Sequence, residues 1–325
     1  MSFDLNFPFA YQSLAASAVF RQRPEDFFVG EQLGFPLSGQ GEHLCLHIEK
    51  TNQNTVFVAK QLAEWAGIKQ MDVGYCGLKD RHAVTRQWFS LYLGKRELDI
   101  SALQIAGCTV LAVSKHDCKL RRGMHAGNAF VIRLRNVQGS IDALEQRWQA
   151  IVKQGVPNYF GEQRFGRGGS NLQQVEAMLA IHAKQWRERK YQFAVSALRA
   201  WLFNRVLADR VVQGDWRECV AGDPEAVSTG PLWGRGRSKS QDVLAQREQN
   251  LLEPYAQYCE KLEHVGLQQE RRALLLPVAD PQFQRDENDV ILRFVLPVGT
   301  YATAVLRECL QLENAQAFDS QVPVL

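Results

Sequence analysis

The stretch Gly74-Tyr75-Cys76-Gly77-Leu78-Lys79-Asp80-Arg81-His82-Ala83-Val84-Thr85-Arg86-Gln87-Trp88-Phe89 places an acid in a turn between two strand candidates. The segment after the turn, Gln87 to Leu93 (QWFSLYL), is rich in aromatic residues, as a strand should be. Lys79 and Arg81 flank Asp80, so its carboxylate should be held ionised by neighbouring charge rather than neutralised by burial. An ionised acid on a loop can act as nucleophile, base or salt-bridge anchor. An aspartate in a turn also commonly bonds its own backbone, and spacing alone leaves these readings open.

On the N-terminal side of this stretch, His43 to Ile48 alternates, with Leu44, Leu46 and Ile48 on one face of a half-buried strand. Val56 to Ala66 carries apolar residues at helical spacing, and Gly67 supplies a C-terminal cap. Beyond it, Asn128 to Leu134 (NAFVIRL) reads as a strand and Ile141 to Val152 as a helix closed by Gly155-Val156-Pro157. The middle of the chain is mainly helical, with Asn171 to His182 and Val195 to Val211 the clearest segments, while Glu225 to Ser240 looks loop-like. Strand alternation returns at Val290 to Leu296, and a short helix follows Gly299. Strands at both ends of a helical middle give an α+β reading, with one domain inserted into a sheet-based one.

The 325 residues include 46% hydrophobic and 22% charged, which argues against a largely disordered or fibrous chain. No run approaches the roughly 18 apolar residues of a membrane span. The start, MSFDLNFPFA, lacks the basic and apolar blocks of a signal peptide, so a soluble, cytoplasmic protein is expected. The net charge of +3 neither demands nor excludes a nucleic-acid partner. Basic residues do cluster, at Lys115, Lys119, Arg121 and Arg122, at Arg164 and Arg167, at Lys184, Arg187, Arg189 and Lys190, and at Arg235, Arg237 and Lys239. Such groups either neutralise phosphates along an RNA or form solvated surface. Seven cysteines without a CxxC pair, and seven histidines without ligand spacing, give no metal site and predict reduced thiols. Gly166-Arg167-Gly168-Gly169-Ser170 lacks the ending of a Walker A loop and reads as a helix entry.

The Asp80 stretch resembles the catalytic motif of the TruD family of tRNA pseudouridine synthases. Further blocks resemble that family in the same order along the chain. They are Arg21 to Val29 (RQRPEDFFV), Gly41 to Leu44 with Lys50 to Thr55 (KTNQNT), Gly127 to Phe130, Gly155 to Gly166, Ser196 to Asn204, and Leu296 to Thr303 with Arg307 and Glu308. The ordered set is highly specific. The resemblance implies an isomerase that converts a uridine of tRNA, typically uridine 13, into pseudouridine. It also implies a pseudouridine-synthase catalytic domain with a mixed sheet and an inserted, helix-rich TRUD domain. Residues 1–153 are expected to form the first part of the catalytic domain, 154–285 the insertion, and 286–325 the return to the catalytic sheet.

By the same resemblance, Asp80 is the catalytic aspartate. It either attacks C1′ of the ribose or removes the C2′ proton. The reaction oxidises nothing and releases no group, so no cofactor is expected. The target uridine must be unstacked into a pocket with an aromatic platform and polar groups. Phe130 is assigned to stacking and Asn128 to a hydrogen bond with the substrate or with Asp80; Phe27 and Tyr301 are further aromatic candidates. Arg21 stands where the family often carries lysine, exchanging a point charge for a planar fork. The Gly155 to Gly166 block is expected to join the two domains, with Arg164 and Arg167 able to meet the RNA backbone. The expected partner is tRNA, with no membrane, and the chain is expected to be monomeric. A non-catalytic RNA-binding or tRNA-folding protein on the same scaffold is the alternative. A carboxylate-pair enzyme such as a glycosidase ranks below it, because no second acid accompanies Asp80 in its motif.

Overall fold

The alternation read at 43–48 belongs to a nine-residue strand, β3 (His43–Thr51), and its partner β5 (Val84–Tyr92) continues directly from the Asp80 loop. The computed structural model describes residues 3–314 and divides the chain into two units. One contains Leu14–Val152, Val278–Gly299 and the chain from Leu310; the other contains the chain up to Ser13, Lys153–Pro277 and Thr300–Cys309. The end of the expected return, 315–325, and residues 1 and 2 lie outside the described residues.

The first unit is a large mixed sheet. Its remaining strands are β1 (Ser17–Phe20), β2 (Phe27–Gln32), β4 (Val73–Tyr75), β6 (Cys108–His116), β7 (Gly127–Gln138), β12 (Ala279–Asp286), β13 (Asp289–Pro297) and β14 (Gln311–Asn314). The spatial order is β12-β13-β7-β2-β5-β3-β6. β1 also pairs with β7 and runs parallel to β14, while β4 pairs with β5. The strand β12, which the sequence reading placed at the end of the insertion, is thus hydrogen-bonded into this sheet.

Two consecutive strands, β1 and β2, share one edge of β7, and β2 in turn lies parallel to the start of β5. The chain therefore leaves the sheet between β1 and β2, at 21–26, and again between β4 and β5, at 76–83. These two departures carry Arg21 and Asp80. Helix α1 (Thr55–Ala66) covers one sheet face: Val58, Ala59, Leu62, Ala63 and Ala66 pack with Leu46, Ile48, Phe89 and Leu91. Its start is capped by Asn54, which accepts hydrogen bonds from the amides of Val56 and Phe57, and its end by Gly67 at φ 60°. Truncating a fully buried leucine such as Leu62 to alanine costs roughly 2–5 kcal/mol. Helix α2 (Ile141–Gln154) buries Leu144, Trp148 and Ile151, with Trp148 tilted on Phe294.

The second unit is built around α4 (Gln192–Gln213), buried on most of its circumference and ended by Gly214 in the left-handed region. Around it lie α3 (Ser170–Met178), α5 (Asp242–Leu252), α6 (Ala256–Glu263), α7 (Ala302–Cys309) and two short ribbons. The ribbons pair β8 (Val156–Pro157) with β11 (Leu275–Leu276), and β9 (Thr229–Leu232) with β10 (Glu270–Ala273). The loop expected over 225–240 therefore contains a strand. Gly230 and Pro231 mask it in the sequence, because neither favours a ladder by propensity. The helix expected over 171–182 ends earlier, at Met178, and a separate 3-10 turn follows from Ala183. No helix among the described residues is long and apolar enough to cross a membrane.

Candidate active site

Arg21 follows directly on β1 with φ 58°, a left-handed backbone that costs a side-chain-bearing residue about 1–2 kcal/mol. The turn after it is held from below. Asp26, almost fully buried, accepts from the Arg23 amide at 2.9 Å and from Arg135 at 2.7–2.9 Å. The Arg21 guanidinium lies 4.0 Å from the centroid of the Phe27 ring, and its Nη2 donates to Asp80 Oδ2 at 3.1 Å. The Arg21 side chain is 9% exposed and that of Asp80 39%. A buried cation thus presents a carboxylate that keeps an open side. Burial lowers the pKa of Arg21 and the charge of Asp80 opposes that effect.

The cation that meets Asp80 therefore comes from another strand end, not from its chain neighbours. Arg81 is exposed. Lys79 turns the other way and is buried: its Nζ lies 3.1 Å from Glu31 Oε2 and donates to Asn128 Oδ1 at 2.5 Å. Neither chain neighbour meets the Asp80 carboxylate, and the cation in contact with it is Arg21. Chain adjacency misleads here because successive residues of a loop project in different directions.

A network of five further hydrogen bonds fixes the loop that carries the acid. The amide of Lys79 donates to Thr55 Oγ1 at 3.0 Å, and Thr55 donates to Gln87 Oε1 at 2.9 Å. Gln87 Nε2 donates to the Gly77 carbonyl at 3.2 Å. Lys50, fully buried, donates through Nζ to the carbonyls of Gln53 (2.6 Å) and Asp80 (3.2 Å). Desolvation pulls the Lys50 ammonium down to about 8, with the charge of Asp80 opposing. These contacts account for the Lys50 to Thr55 block, whose residues buttress the Asp80 loop.

Glu31, Cys76 and His125, each buried, bring ligand-type atoms within 4.8 Å of one another. The sequence reading missed this group because its members come from β2, the Asp80 loop and the residues before β7. The ammonium of Lys79 already supplies a cation beside Glu31. Burial also pushes the Cys76 thiol up to about 12, away from the thiolate a metal ion requires. Burial and the charge of Lys79 hold His125 down to about 4, so its ring is neutral at neutral pH. The group reads as a packed polar cluster completed by Lys79.

The aromatic candidates fall in different places. Phe130 is 7% exposed, stacked on Phe294 at 5.4 Å and tilted on Phe27 at 6.1 Å. Phe27, 2% exposed, has one face under Arg21, so it serves as a seat for the cation. Asn128, Phe130 and Arg21 belong to the sheet unit with Asp80, whereas Tyr301 belongs to the helical unit. There, Tyr301 Oη accepts from Arg164 Nε at 3.0 Å and Nη2 at 2.7 Å, and Arg164 Nη1 donates to Ser196 Oγ at 3.1 Å. Arg164, expected to be able to meet the RNA backbone, has all three guanidinium nitrogens engaged within the helical unit. The ring of Tyr301 also meets Phe160 edge-on, and Phe160 is pinned through its backbone N–H and C=O by the buried Asn204 amide. Residues of the Gly155 to Gly166 and Ser196 to Asn204 blocks thus meet around Tyr301.

A family model described as tRNA pseudouridine synthase D (TruD) matches residues 8–185 and 224–309. The tRNA pseudouridine synthase D of Cellvibrio japonicus is 50% identical over 321 residues, covering 97% of this chain and 95% of that protein. That of Methylococcus capsulatus is 45% identical, with 94% of each covered. The chain belongs to the tRNA pseudouridine synthase D family. Among solved structures, a Methanosarcina mazei protein assigned to tRNA pseudouridine synthase D superposes with a TM-score of 0.68 at 21% identity. It covers 93% of this chain and 95% of its own, and shares the fold. Members of the TruD family are isomerases, and the mixed sheet with its helical partner unit is the α+β architecture expected of this chain. Lys50, Thr55, Glu31 and His125 are among the buried polar residues of the sheet unit of this TruD-family chain that sequence reading left without a role. For Lys50 and Thr55 the signal was present: a lysine and a threonine inside a family block, at a strand end and a helix start. Glu31 and His125 gave none.

Proposed function

We propose that this chain isomerises a uridine of tRNA, uridine 13, to pseudouridine, with Asp80 as the catalytic carboxylate. The observation that carries the reading is the Arg21–Asp80 pair: a half-open carboxylate beside a buried guanidinium, on a loop tied down by Lys50, Thr55 and Gln87. The reaction breaks C1′–N1 and forms C1′–C5; the C5 proton is lost and N1 gains one, so composition is unchanged. A carboxylate can serve either by bonding to C1′ or by taking the C2′ proton and returning it. The guanidinium bond to Asp80 favours either route, because it orients one oxygen and leaves the other open to the ribose. Phe130 supports stacking of the flipped base and Asn128 hydrogen bonding to it, and Tyr301 is proposed as a substrate contact carried by the helical unit. Phe27 supports Arg21. Catalysis is assigned to the sheet unit, and the insertion, expected over 154–285, to recognition of the tRNA.

The test is mass-spectrometric mapping of pseudouridine in unmodified tRNAs incubated with the protein and with Asp80→Asn. The expected outcome is one product position, formed by the wild type and absent with the variant. No product from either, with tRNA binding intact, would favour the non-catalytic RNA-binding reading.

A further inference from the structure

Lys79 and Glu31 form a deeply buried ion pair beside the Asp80 loop. The Lys79 side chain is 4% exposed and that of Glu31 is 0% exposed. A buried pair of this kind costs several kcal/mol in desolvation per ion, and replacement by apolar residues is often neutral or stabilising. Its presence therefore calls for a use. The geometry supplies one. Glu31 sits on β2 directly opposite Asn128 on β7, so both side chains leave the same sheet face. Lys79 enters from the Asp80 loop, forms an ion pair with Glu31 and donates to Asn128 Oδ1. Glu31 is itself fixed, its Oε1 accepting from the Trp88 amide at 3.0 Å.

An ammonium has three donors and no acceptor, so Lys79 can face only the carbonyl oxygen of the Asn128 amide. That contact settles which end of the amide points where. Asn128 Oδ1 is consumed by Lys79, and Nδ2 is turned toward His125 Nε2, 3.4 Å away. In the tautomer that carries its proton on Nδ1, a neutral His125 offers an acceptor at Nε2 and takes only one of the two N–H groups. Asn128, which is only partly buried, is left as a hydrogen-bond donor to whatever occupies the site.

Resting on the reading that this chain is a pseudouridine synthase, we propose that Lys79, neutralised by Glu31, is a positioning residue that locks the Asn128 amide as a donor toward an acceptor oxygen of the target nucleotide. Without Lys79 the amide is free to flip, and the site loses its fixed donor without losing a group that touches tRNA. The same fixed polarity favours a base edge that offers carbonyl oxygens, as uracil does, over one that offers an amino group.

The test is a double-mutant cycle read by single-turnover pseudouridine formation and by tRNA Kd. Lys79→Met is expected to lower the rate constant by about 100-fold while leaving Kd within about threefold. In an Asn128→Ala background the same change should cost less than about threefold, because Lys79 then has nothing to orient. Lys79→Met leaves Glu31 buried and unpaired, so its stability is expected to fall. Glu31→Gln/Lys79→Met removes that penalty and should recover the melting temperature but not the rate. The proposal is overturned by any of three results: costs of Lys79→Met and Asn128→Ala that multiply, a rate that recovers with stability in the Glu31→Gln/Lys79→Met protein, or a loss of tRNA affinity that accounts for the rate. Failure of the broader reading looks different, since the wild type would then make no pseudouridine.

Discussion

Arg21 illustrates how much one residue can be made to carry. It adopts a left-handed backbone, lies over the Phe27 ring and reaches an acid 59 positions away. A lysine at this position could supply the charge but not the planar stacking on Phe27. Arg21→Met is expected to lower the single-turnover rate about 100-fold, since the Asp80 carboxylate loses its orientation, whereas Arg21→Lys should stay within about tenfold of wild type. Rate constants measured at saturating enzyme would check both. His125 gives a prediction with a sign. Its pKa is lowered to about 4 in the folded protein by burial and by Lys79, with Glu31 and Cys76 also facing it. The unfolded chain, with an ordinary histidine near 6.5, binds the proton first as the pH falls. Stability tied to this residue is therefore fully present above about 6.5 and is lost as the pH falls toward about 4. Urea midpoints of wild type and His125→Gln, followed from about pH 7 to about pH 4, should show the steeper decline in the wild type.

At the scale of elements, the Asp80 loop is rigid because strand ends and a helix start converge on it. Thr55, the first residue of α1, receives the Lys79 amide and donates to Gln87 on β5, so one hydroxyl joins helix, loop and strand. Thr55→Val keeps the shape and deletes both bonds, leaving a buried N–H and a buried amide oxygen unsatisfied. A loss of about 1–3 kcal/mol is expected in equilibrium urea denaturation. The helix itself is legible in the sequence. Its apolar spacing and Gly67 at its end are local signals, and the observed bounds differ from the sequence reading by one residue. The strand at 229–232 is not legible there. It exists because Glu270 to Ala273 pairs with it and because Gly230 lies against Phe203 and Leu274, where a Cβ would be crowded.

At the scale of the whole chain, the helical unit has a polar centre of its own. Arg271 is 1% exposed and bonds Glu248 at 2.8–2.9 Å and the Thr229 carbonyl at 2.6 Å. Arg210, equally buried, bonds Asp215 at 2.7 Å and Ser228 Oγ at 3.1 Å. Removing one partner of such a pair leaves an uncompensated charge. Glu248→Ala is expected to cost about 3–5 kcal/mol, seen as a fall in the denaturant midpoint. The sheet unit should be unaffected, and near-ultraviolet spectra of Asp80→Asn provide the matching control.

Short periods and local chemistry are readable from the chain alone: the alternating strands at 43–48 and 290–296, the helix at 56–66 with its glycine cap, and an acid in a turn between strands. The order of motif blocks along the chain is enough to assign the family. Three-dimensional packing was needed to show which cation meets Asp80, that Lys79 contacts Asn128, and that the chain up to Ser13 and Thr300–Cys309 join the helical unit. The physical reason is the range of the interactions. Helical and strand periods bring together residues two to four positions apart, so the pattern itself records them. Arg21 with Asp80, and Lys79 with Asn128, are separated by 59 and 49 positions. Those pairings are set by the register of β2 between β7 and β5, which no local pattern encodes.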